Sequence, residues 1–115
     1  YHIQGRPGRS VRRPEGVTMP TSLVLSPAAR EDLVAIRKYG ALHWGKHRSD
    51  QYLDTLKEAI WSLLEYPETG RTRPELSSEI RSLPVSSHVI FYRIEREQLE
   101  IIRILHARQD VDQQL

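Results

Sequence analysis

Near the C-terminal end, the segment RILHARQD closes an apolar run and places His106, Arg108 and Asp110 at every second position. A histidine, a cation and a carboxylate so spaced are the residue types of an acid-base apparatus. Cleavage of RNA, for example, needs a base to draw the 2′-hydroxyl proton, an acid for the leaving oxygen and cations against the charge building on the phosphate. Arg81, Arg93 and Arg103, with Tyr92 and His88, would lie on or beside the same strands. The neighbouring acids oppose that chemistry, because Asp110 and Asp112 would repel an RNA phosphate. Solvated arginines and a capped, partly buried His106 account for the same residues without any reaction. If the strand continues through Asp110, alternation sends all three side chains to one side, as a contact patch or as an exposed Arg108–Asp110 pair worth under about 1 kcal/mol.

Other chemistries fit less well. His43 and His47 are spaced i, i+4, but Gly45 lies between them in HWGKH, no HExxH glutamate accompanies them and no third ligand is evident. The sequence contains no phosphate-cradling glycine loop and no nucleophile elbow, so neither a metal nor a cofactor is expected and no catalytic residue is nominated. With no cysteine in the chain, disulfides and thiolate chemistry are excluded and a reducing cytoplasm is the natural setting. No apolar stretch approaches the roughly 20 residues of a membrane helix.

The pI of 9.2 suggests a polyanion partner until the charge is located. Residues 1–18 hold Arg6, Arg9, Arg12 and Arg13 against Glu15, which leaves 13 of the 17 basic and 14 of the 15 acidic side chains on the rest of the chain. The domain itself is near neutral, which argues against a sequence-specific DNA reader. Residues 1–18 are rich in Gly, Pro and Arg without apolar periodicity, and read as a non-native or flexible extension rather than a functional basic arm. Met19, the only methionine, reads as the start of a single domain over 19–115.

The elements that must position these side chains follow from patterning. TSLVL predicts a short strand from Thr21. Ser26 can cap a helix whose first position is Pro27, with Glu31 and Asp32 favouring the positive end of its dipole. Ala29, Leu33, Ile36 and Gly40 fall on one face of it, and Gly45 breaks it. A second helix over about His47–Tyr66, stopped by Pro67, buries Leu53, Leu56, Ile60, Leu63 and Leu64, with Trp61 to the side and only partly covered. PETGRTRPEL should be irregular. IRSLPV, HVIFYRI and LEIIRILH are strands, the last two joined by EREQ, and Pro84 confines the first of the three to an edge or a bulge.

The order β-α-α-β-β-β predicts an α+β domain, a helical hairpin packed on one face of a small, mostly antiparallel sheet. Strict alternation puts Leu99, Ile101, Arg103 and Leu105 on one face and Glu100, Ile102, Ile104 and His106 on the other. Both faces then read as largely apolar, and the face left over by the hairpin asks for a partner.

With that order of elements, the sequence resembles the RelE/ParE superfamily of bacterial toxins from toxin-antitoxin pairs, and the ParE branch most. The likeness runs from LSPAAREDLVAI through YPETGR and IRSLPVSSHVIFYRI to IIRILHARQD. It implies a cytoplasmic, non-enzymatic toxin that arrests growth by binding DNA gyrase and is neutralised in a hetero-oligomer by a ParD-like antitoxin. It also implies an antitoxin segment lying across hairpin and sheet, for which Leu33, Ile36, Trp61, Ile90, Tyr92, Ile102 and Ile104 are the candidates. His106, Arg108 and Asp110, with Arg81 and Arg103 as supporting cations, are the candidates for the gyrase-directed surface. The alternative within the fold is a RelE-like, ribosome-dependent mRNA endonuclease.

Overall fold

The structure, a computed structural model, describes residues 20–109 and 114–115, with the backbone of 2–4. Strand β2 (Ser22–Leu25) leads into helix α1 (Pro27–Trp44), Gly45 and helix α2 (Lys46–Glu65). A 3-10 turn (Pro67–Thr69) and a two-residue strand β3 (Arg71–Thr72) follow, then β4 (Arg81–Val85), β5 (His88–Glu95) and β6 (Gln98–His106). In the extension, β1 (His2–Gln4) pairs antiparallel with Ser22–Val24, so this piece contributes backbone pairing where none was expected. The rest of the extension lies outside the described residues, as do Met19 and Asp110.

The sheet order is β1-β2-β6-β5-β4-β3, antiparallel except where β2 runs parallel to β6. The predicted hairpin covers one face. Ser26 caps α1, its hydroxyl accepting from the Ala29 N–H at 2.9 Å, and Pro27 occupies the first turn. Gly45, at φ 89°, makes the break between the helices. The helices approach closely where Gly40 faces Ser49, so that a Cβ on Gly40 would lie 2.6 Å from the Ser49 hydroxyl. That hydroxyl donates to the Arg37 carbonyl across the hairpin.

Leu53, Leu56, Ile60, Leu63 and Leu64 are all buried, as the α2 stripe predicts, each contributing about 1.5–3 kcal/mol of apolar transfer. Ile60, Leu63 and Leu64 join Ala29 and, from the sheet, Leu23, Leu25, Ile90, Tyr92, Leu99, Ile101 and Ile104 in one core. Pro84 sits beyond the end of β3, where β4 is the sheet edge and a missing donor costs nothing.

Three expectations fail for identifiable reasons. Strict alternation along β6 is broken by a bulge: Phe91 pairs with Arg103 and Tyr92 with Ile101, leaving Ile102 as the extra residue. Leu99 and Ile101 therefore share the helix-covered core with Ile104 rather than opposing it. The second face is also less bare than expected, since Phe91 and Leu105 are only 3% and 2% exposed and the Arg73 guanidinium lies over the Phe91 ring. Finally, PETGRTRPEL is not wholly irregular, because Arg71 and Thr72 pair with Ser82 and Arg81.

Candidate partner-binding site

The predicted polar end of the last strand forms one end of a row of rings. His106 pairs with His88 across β5–β6, their rings edge to face with centroids 5.4 Å apart. His88 Nδ1 lies 2.7 Å from the Tyr52 hydroxyl, which also accepts the Ser87 N–H. Burial, seconded by the nearby His106, holds His88 below the usual histidine range, so it is neutral at physiological pH. From Tyr52 the row continues through Trp44 (5.6 Å), Tyr39 (6.0 Å) and His43, stacked on Tyr39 at 3.9 Å. His43 thus has a ring partner and the Tyr39 carbonyl, and among the described residues no cluster of three metal-ligating side chains exists.

Past β6 the chain turns sharply. Gln109 Oε1 accepts the His106 N–H and His106 Nδ1 accepts the Arg108 N–H, which leaves the Arg108 side chain exposed. His106 is half-buried against a pocket of about 320 Å³ whose other walls include Ile36, Tyr39, Trp44 and His88.

Arg103 and Arg81, the proposed supporting cations, are committed elsewhere. Arg103 grips Asp32 with two parallel bonds, Nε–Oδ2 and Nη2–Oδ1, both 2.8 Å, and this pairing raises its pKa further. Asp32 Oδ2 also accepts the Ile104 N–H at 2.9 Å, on a strand that has run past its β2 neighbour. The Ser26 hydroxyl donates to the Ile102 carbonyl at 2.6 Å. Ser26 and Asp32 together thus satisfy the backbone around the bulge. Asp32 was expected to serve the helix dipole; instead neither acid lies in the first turn, and Asp32 clamps the sheet to α1.

Arg81 donates to the Gly70 carbonyl at 2.8 Å. The Tyr92 hydroxyl donates to the Pro67 carbonyl (2.7 Å) and accepts the Gly70 N–H (2.8 Å). Burial raises the Tyr92 pKa, which suits a structural phenol rather than a base. The Pro-Glu-Thr-Gly-Arg sequence is therefore a turn folded onto Tyr92. Arg93 is paired with Glu95 and Glu100.

Of the antitoxin candidates, Ile90, Tyr92 and Ile104 are core residues, 0–2% exposed, and as the chain stands folded they offer a partner no side-chain surface. They were misplaced because period-2 patterning does not tell which apolar face the helices cover. Ile102 is half-buried at the bulge. Leu33 and Trp61 are half-buried and line a groove of about 500 Å³ with Leu23, Val34 and Ile60, rimmed by Arg30 and Lys57. Ile36 lines the pocket of His106 instead. Sequence reasoning did not foresee the exposed apolar surface of α1, where Val34, Tyr39, Leu42 and Trp44 are all exposed, Leu42 by 82%. Nor did it find Tyr52, for which only the fold supplies a signal.

A helical hairpin on one face of a mostly antiparallel sheet is the architecture of a solved structure described as the chromosomal ParDE TA system from P. aeruginosa. The two superpose with a TM-score of 0.68 over 78% of this chain and 98% of that one, at 21% identity. The two chains thus share one fold class. Residues 23–111 match the family described as the ParE toxin of the type II toxin-antitoxin system, parDE. Toxin ParE1 of Mycobacterium tuberculosis (strain H37Rv) is 37% identical over 98 residues, 84% of this chain and all of that protein. Toxin ParE1 of Caulobacter vibrioides is 35% identical over 82 residues, 71% of this chain and 84% of that protein. The chain belongs to the ParE toxin family of type II toxin-antitoxin systems.

Proposed function

We propose that this toxin arrests growth by binding DNA gyrase, without cleaving a bond, and that a ParD-like antitoxin neutralises it. The observation that carries the non-enzymatic reading is the state of the sheet's basic residues. Arg81, Arg93 and Arg103 are bound to carbonyls or carboxylates, and the Tyr92 hydroxyl is held by two backbone groups. A ribonuclease would need those cations turned toward a phosphate.

The antitoxin surface is the groove lined by Leu33 and Trp61, with the exposed Val34 on its wall. An amphipathic segment would set apolar anchors into the groove and bring acids to the Arg30 and Lys57 rim. The target surface is the end of β6, His106 and Arg108, together with the ring-lined pocket. Residues 1–18 precede the family-matched region, to whose sheet His2–Gln4 add an edge strand.

Expression should stop growth, and co-expression of the adjacent antitoxin gene should relieve it. A His106→Ala toxin should lose potency, while ribosome-bound mRNA stays intact in cells arrested by the unaltered toxin. Cleaved mRNA that His106→Ala abolishes would establish the nuclease instead. In the antitoxin complex, Leu33→Ala should speed dissociation and Lys57→Glu should slow association.

A further inference from the structure

The segment Arg37–Arg48, RKYGALHWGKHR, carries Arg37, Lys38, Lys46 and Arg48, with His43 and His47, and no acid. The domain from Met19 onward holds 13 basic and 14 acidic residues, so outside this segment there remain 9 basic against 14 acidic. A near-neutral domain is therefore strongly polarised. The fold gathers the positive part at one place, the tip where α1 ends and α2 begins. Every residue from 37 to 48 except Gly40 is exposed. Among the described residues, none of the four cations forms an ion pair.

Aromatic rings are interleaved with the charge. Tyr39 and Trp44 are 57% and 40% exposed. Trp44 stands between two open clefts, one shared with Arg48, Gln51, Tyr52 and Thr55, the other with Tyr39, His88 and His106. We propose that the hairpin tip is a binding site for single-stranded nucleic acid, with bases stacking on Trp44 beside the Tyr39–His43 stack and phosphates meeting Lys38, Lys46 and Arg48.

An acidic peptide would satisfy the charge but has no use for exposed ring faces, whereas every base has a face to stack. A duplex keeps its bases stacked on one another and withholds them from the rings. Recognition of this kind follows backbone charge and ring stacking, so it is independent of sequence and compatible with the neutral charge of the domain as a whole. It does not rest on gyrase being the target.

The test is fluorescence anisotropy with a labelled dT12 strand and the full chain. Affinity should fall about 15- to 20-fold between 50 and 200 mM salt, as expected for about three neutralised phosphates. Lys46→Glu/Arg48→Glu should weaken binding at least tenfold, and Arg96→Glu, in the exposed β5–β6 turn, should leave it unchanged. Trp44→Ala should weaken it about tenfold, with Trp44→Phe recovering much of the loss. Thermal melts of each variant separate lost binding from lost folding. Absence of binding at 50 mM salt, or binding indifferent to the Lys46/Arg48 reversal, would overturn the proposal. So would equal affinity for polyglutamate, which assigns the tip to acidic peptides, or tighter binding to a dT12·dA12 duplex.

Discussion

At the scale of single residues, the side chains that look catalytic in the sequence divide into those that hold the fold and those that face outward. Tyr92 holds the Pro67–Gly70 turn with two bonds, and the Gly70 position has no room for a Cβ, which would lie 2.4 Å from the Tyr92 oxygen. Tyr92→Phe strands the buried Gly70 N–H and should cost about 1–3 kcal/mol in urea unfolding. Gly70→Ala should cost a similar amount, and the double variant less than the sum, since both break one network. Asp32→Ala removes the partner of Arg103 and the acceptor of Ile104 together, at a pair only 14–18% exposed. It should cost about 2–4 kcal/mol, more than Arg103→Met, which leaves the Ile104 bond in place. His88 supplies a pH dependence. Its folded pKa is lowered from 6.5, so as pH falls the unfolded chain takes up the proton first. Stability should be complete above about pH 6.5 and decline on acidification down to the folded pKa. His88→Gln should flatten that decline, measured as the urea midpoint between pH 7.5 and 5. Sequence could name Asp32 and Tyr92 but not their partners, which lie 71 and 22–25 residues away in the chain.

At the scale of elements, local signals carried far. The Ser26-Pro27 start, the Gly45 break and the five-residue α2 stripe all stand as patterned, because each depends on residues within a turn or two. β6 departs from its pattern at Ile102, since a bulge is fixed by contacts from Ser26 and Asp32 that no window on β6 contains. Patterning also could not show which sheet face the helices cover, and three core residues were accordingly taken for surface. The β5–β6 turn offers a clean test of local chemistry. Arg96 and Glu97 both sit at positive φ, 50° and 66°, the geometry of a two-residue turn that favours Asn-Gly. Arg96→Asn/Glu97→Gly should stabilise the domain by about 1 kcal/mol and raise the melting temperature by several degrees. The Thr21 N–H bond to residue 97 uses a backbone carbonyl and survives the change.

At the scale of the whole molecule, the fold separates two surfaces on the helical hairpin. The groove of Leu33 and Trp61, rimmed by Arg30 and Lys57, lies between the helices over β2. The tip and the end of β6 share the pocket of Tyr39, Trp44, His88 and His106. The order of elements, and with it the family, was legible in the sequence. The two surfaces were not, because they depend on which apolar residues the core leaves over. An antitoxin seated in the groove need not touch the β6 end, so neutralisation could act by excluding the target with the antitoxin's bulk rather than by covering His106. Charge reversal at Arg108 should then reduce toxicity while leaving antitoxin affinity within about twofold, measured by growth curves and by titration calorimetry. The central claim is inhibition of gyrase by binding, and its most direct measurement is supercoiling of relaxed plasmid by purified gyrase with excess toxin and no ribosomes. The account predicts that supercoiling is blocked and that pre-incubation with antitoxin restores it; unimpaired supercoiling at full toxin excess would contradict it.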